Sequence, residues 1–112
     1  MEKQQQREKM EKMIEKFKDA SQLAEYDGGD NMHTLCGYLK CYVLLVNTKD
    51  KKEAFKKRMF TLLNRAWNEK EVFKNESESR RLYKEVEGYG KCAIEMGFLK
   101  KEEVVEITKG WC

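Results

Sequence analysis

Apolar residues recur at three- and four-residue steps along most of this chain, the spacing that lines one face of a helix. Between Glu2 and about Tyr26 the stripe is Met10, Met13, Ile14, Phe17, Ala20, Ser21 and Ala24, and most other positions are charged. This predicts an amphipathic N-terminal helix within residues 1–26, its first turns projecting or frayed for want of apolar side chains. The pattern breaks at Asp27-Gly28-Gly29-Asp30-Asn31, which reads as an inter-helix turn whose Asp30 or Asn31 can cap the next helix.

The second segment, Met32 to Val46, is apolar nearly all round. Met32, Leu35, Cys36, Leu39, Tyr42, Val43 and Val46 fall on one face, and only His33, Gly37 and Lys40 make a polar strip. A helix of this kind belongs at the centre of a bundle. After a break at Asn47-Thr48-Lys49-Asp50, where Thr48 or Asp50 can be the N-cap, a third helix runs to about Glu69 on a stripe of Phe55, Met59, Leu62, Leu63 and Ala66. Val72 and Phe73 are expected to pack back as a short turn. A fourth helix, from about Ser77 to Met96, carries Leu82, Val86, Tyr89, Ala93 and Met96, with Cys92 at the stripe's edge. Gly88 and Gly90 within it suggest a kink or a close helix–helix approach. Gly97 reads as a C-cap. Lys101 to Lys109 then forms a last short helix, and Trp111 is expected to plug the bundle. No repeat recurs at a period of 20–50 residues. The prediction is one all-α domain over residues 1–112, a bundle of four to five helices with a central apolar helix and a helical core over 32–112.

Composition narrows this further. In 112 residues, 40% are apolar and 38% charged, and proline is absent. That is enough apolar surface for one core and too little chain for a two-lobed enzyme. The longest apolar run, Cys41 to Val46, is far short of the roughly 20 residues of a membrane span, and no hydrophobic leader opens the sequence. A cytoplasmic location without membrane contact is the expectation. The short, Lys/Glu-rich, proline-free chain also suits a phage or other mobile-element product.

Candidate chemistry is sparse. Four cysteines (Cys36, Cys41, Cys92, Cys112) without a leader read as reduced thiols, with Cys36 and Cys92 on apolar faces. His33 is the only imidazole. Cys36 and Cys41 diverge by about 140° on one helix, so the three do not form a zinc set. No phosphate loop, dinucleotide fingerprint or H-E-x-x-H is present. Neither an enzyme nor a metal or cofactor site is expected.

Charge is more informative. The net charge is +3, yet residues 47–74 alone hold nine basic side chains against four acidic. Lys49, Lys52, Lys56, Lys57, Arg58 and Arg65 share that stretch with Phe60 and Trp67, which fall outside the core stripe. Basic side chains interleaved with aromatics can track a phosphate backbone and stack bases. The pI of about 8.6 stays below the value near 9 that marks a strong nucleic-acid footprint. A second candidate surface is the N-terminal helix, where Met10, Met13, Ile14 and Phe17 could dock on the bundle, on a partner or on a second copy. The leading expectation is a small protein-binding regulator or inhibitor. The alternative is an RNA- or DNA-binding module using the basic and aromatic third helix.

Overall fold

The computed structural model describes residues 3–21 and 30–109. Among them are five helices and no strand: α1 (Lys3–Ser21), α2 (Asp30–Val46), α3 (Lys51–Glu71), α4 (Glu76–Glu95) and α5 (Lys101–Thr108). The all-α bundle expected from the apolar periodicity is the fold observed. Most of the expected 27–31 turn, the Phe17 side chain, Trp111 and Cys112 lie outside what is described.

Local chemistry explains the helix ends. The Asp50 carboxylate accepts the Glu53 N–H at 3.1 Å and starts α3, and the Asn75 side chain accepts the Glu78 N–H at 3.2 Å and starts α4. Each satisfies a backbone donor that the first helical turn leaves open. α5 is held from the other side, where Glu103 Oε1 accepts the Lys100 N–H at 3.0 Å. α4 ends as expected at Gly97, whose φ of +73° suits a residue without Cβ. The turn after α3 passes through Lys74, which adopts a φ of +56° despite its side chain. Val72 and Phe73 do not pack back. They stand 58% and 68% exposed at the end of α3, because the chain turns sharply there into the Asn75 cap.

One continuous core draws on every helix, from Met10 of α1 through Tyr38, Cys41, Phe55, Met59, Leu82, Tyr89 and Cys92 to Val104 of α5. The α3 stripe is the expected one, with Phe55, Met59, Leu62, Leu63 and Ala66 all buried. α2 occupies the centre, but with a different face inward. Leu35, Tyr38, Cys41 and Leu45 are buried, whereas Met32, Cys36 and Val43 are exposed. Gly37 is the reason. Read as part of a polar strip, it is instead where the backbone of α4 lies against α2.

A Cβ on Gly37 would sit closer than 3.0 Å to the backbone carbonyl of Glu85, and a Cβ on Gly88 equally close to that of Thr34. Helix pairs normally keep 8–10 Å between axes, and this pair is tighter because both contact residues lack side chains. The contacts advance together along both helices. They run from the Asp30–Arg80 ion pair at 2.5 Å, past Gly37 and Gly88, to the hydrogen bond between Tyr38 and Glu95 at 2.9 Å. α2 and α4 are therefore parallel.

The crossing also exposes a repeat whose period lies just beyond the usual 20–50 residues of repeat proteins. Gly37-Tyr38-Leu39-Lys40-Cys41 in α2 and Gly88-Tyr89-Gly90-Lys91-Cys92 in α4 agree at four of five positions. At that same offset Thr34 corresponds to Glu85. The contact of Gly37 with residue 85 is thus the contact of Gly88 with residue 34, seen from the other helix.

Polar groups buried beside the crossing are all matched. Glu85, 2% exposed, accepts from Lys40 Nζ at 2.6 Å and pairs with Arg81 through its second oxygen. The Ser79 hydroxyl donates to the Ala66 carbonyl at 2.9 Å, tying α4 to α3. Among the described residues no buried side-chain nitrogen or oxygen lacks a partner, as the cost of an unmet buried donor or acceptor requires.

Candidate binding face on α3

α3 buries one side against α4 and shows the opposite side to solvent. Phe60 and Trp67 lie on that outer side, seven residues and therefore about 20° of helical rotation apart. They are 62% and 49% exposed. About half or more of each ring surface therefore meets solvent. Lys56 and Lys57, both exposed, flank Phe60. With Glu53, Thr61 and Ile107 they line a shallow groove of about 560 Å³ where α5 meets α3.

The other basic residues of the stretch disperse. Arg58 turns toward α4 and donates from Nη1 to the Tyr89 hydroxyl at 3.0 Å. Arg65 is exposed, and its charge adds a little to the effect of Arg81 in holding the Glu78 carboxyl below its ordinary value. Lys52 reaches Glu103 of α5 at 3.7 Å. Lys49 is exposed in the turn between α2 and α3. Of the eight residues singled out in sequence, then, Lys56, Lys57, Phe60 and Trp67 share one surface. Arg58 and Arg65 lie on another side, where Arg58 is bonded to α4. A helical wheel separates the two groups, since Arg58 and Arg65 lie roughly 150° from Phe60. What the wheel could not supply is which side is buried.

The second candidate surface is used within the chain at two of its described residues. Met10 is buried and Met13 half-buried against the bundle, and Ile14 is exposed. Lys9 Nζ donates to the Glu95 carbonyl at 3.2 Å. Beside this contact the Tyr38 hydroxyl donates to Glu95 Oε2 at 2.9 Å. Burial and the neighbouring carboxylate raise the Tyr38 pKa well above the ordinary phenol value.

Among the described residues no three His, Cys, Asp or Glu side chains converge as a metal set. His33 is half-buried, and Cys36 points to solvent rather than into the apolar face expected of it. No described helix is long and apolar enough to cross a membrane. Compared with protein families, curated proteins and solved structures, the chain matches none.

Proposed function

We propose that this protein acts by binding another protein through the outer face of α3, as a small regulator or inhibitor without catalytic activity of its own. The observation that carries this reading is the joint exposure of Phe60 and Trp67 on one rigid helix face. The exposed part of each ring is apolar area that a partner could remove from water, and aromatics are the side chains that anchor protein interfaces. Lys56 and Lys57 add a positive rim that favours an acidic partner surface and faster encounter. The face sits on a helix fixed by five buried side chains and an N-cap, so binding orders little of it.

A second reading, RNA or DNA binding, is favoured by the same two lysines beside two aromatics. It is weakened by the engagement of Arg58 with Tyr89 and by the placement of Arg65 on a different side of the helix. A pull-down from source-cell lysate separates the two. The expected result is a set of proteins retained after nuclease treatment and lost with Phe60→Asp/Trp67→Asp, while circular dichroism of the variant is unchanged. Capture that vanishes on nuclease digestion, with affinity falling steeply as salt rises, would replace protein binding by nucleic-acid binding. Equal capture by wild type and variant would remove the α3 face from either account.

A further inference from the structure

The two cysteines at the centre of the bundle occupy matching positions. Each lies four residues, just over one helical turn, after the glycine that admits the other helix: Gly37 then Cys41, Gly88 then Cys92. Both side chains are fully buried, and both belong to the single core. Because α2 and α4 are parallel and their backbones approach closely at the glycines, residues one turn further on lie on the facing sides of the two helices. A disulfide needs Cα atoms within about 7 Å and Cβ vectors that converge, and a glycine-tight crossing is one of the few helix–helix geometries that meets this.

We propose that Cys41 and Cys92 form a latent cross-helix disulfide site, which an oxidant of the peroxide class closes when α2 and α4 part briefly, locking the crossing once they return. The balance is complete with hydrogen peroxide as the oxidant. One thiol sulfur takes an oxygen from the peroxide to become a sulfenic acid, the O–O bond breaks and a water leaves. The second thiol attacks that sulfur, the S–S bond forms, the S–O bond breaks and a second water leaves. Two thiols and one peroxide give one disulfide and two waters.

Gating by opening is a consequence of the environment. The hydrogen bond to Cys41, and then burial, push the Cys92 thiol far above its ordinary pKa, and a protonated, enclosed thiol is a poor nucleophile. The exposed Cys36 is the more accessible target in the closed state. Oxidation of the core pair therefore measures how often the helices separate.

The test uses the full chain with Cys36→Ser and Cys112→Ser, which leaves the core pair native. Samples are treated with hydrogen peroxide in buffer and in urea just below the unfolding midpoint, then returned to buffer. The expected product has lost two hydrogens in mass, has no alkylatable thiol after denaturation, and shows Cys41 linked to Cys92 in a non-reducing peptide map. It forms at least tenfold faster in urea. Its Tm is about 10 °C higher than that of the reduced protein, from closure of a loop of some fifty residues, and a reductant reverses the gain. Three results would overturn the proposal: both thiols still free in either condition, sulfinic or sulfonic products in place of a cross-link, or a disulfide that lowers the Tm. Cys92→Ala, treated alongside, should form no intramolecular bridge.

Discussion

At the scale of single residues, three glycines that look alike in sequence do different things. Gly37 and Gly88 stand where a Cβ would strike the backbone of the opposite helix, and backbone cannot move aside as a flexible side chain can. Gly90 is close by in α4, and its nearest foreign atom would be Val104 Cγ1 at 3.4 Å, an ordinary contact. Gly37→Ala is therefore expected to destabilise the fold by about 3 kcal/mol, the upper range for overpacking a filled core. Gly90→Ala should be neutral or stabilising by up to about 1 kcal/mol, since alanine favours the helix. Urea denaturation of the two variants checks both. Equal losses would mean that the crossing tolerates a methyl group and that helix propensity governs these positions.

Between elements, ion pairs at the surface support what the glycines allow. Arg80 of α4 grips Asp30 of α2, donating from Nε at 3.0 Å and from Nη2 at 2.5 Å. The hydrogen bond from Arg80 holds the Asp30 carboxyl below its ordinary pKa, and that from Arg81 does the same for Glu78. A carboxyl whose folded pKa is depressed adds stability above its unfolded pKa and loses it as the pH falls through the folded value. The urea midpoint should therefore stay level from pH 7 to about 5 and fall below about 4, where carboxylates of ordinary pKa take up protons. Arg80→Gln should flatten part of that decline, because Asp30 then titrates nearly alike in both states. An acid profile unchanged by Arg80→Gln would show that the pair is too solvated to matter, as many exposed pairs are.

How much of these elements was legible in the sequence differs from helix to helix. α3 was readable in full, because its five core residues are large, apolar and evenly spaced, and Asp50 marks its start. α2 was located correctly but rotated wrongly. In a helix apolar on all sides, periodicity carries no direction, and the deciding residue was a glycine, which has no hydropathy to speak of. Glu85 was likewise invisible as a core residue, since only tertiary structure brings Lys40 to it. The shared surface of Lys56, Lys57, Phe60 and Trp67 was implied by helical spacing, whereas its exposure depended on how α5 and α4 cover α3. The turn after α3 misled because Val72 and Phe73 are apolar, yet the positive φ at Lys74 directs the chain away before they can be covered.

In the whole molecule, the described part of α1 packs mainly on α2. Its described contribution to the core is Met10, with Met13 packed partly against it. Removing residues 1–26 is expected to leave the helices from Asp30 onward folded and to cost roughly 2–4 kcal/mol, the burial of those two side chains. The circular dichroism signal per remaining residue should be unchanged, with a lower urea midpoint. Collapse of the helical signal would instead make α1 a condition of folding. The α3 face lies on the part that stays, so its binding should survive the truncation.

The glycine crossing has one more consequence, and it concerns dilution. Two parallel helices that meet by the same contact from each side are what a symmetric homodimer builds from two chains. Such a dimer falls apart when its concentration drops below its dissociation constant. Here both helices belong to one chain, tethered through α3, and each meets the other at an effective concentration set by that tether rather than by how much protein is present. A self-complementary pair has become an internal one, and its stability no longer depends on abundance.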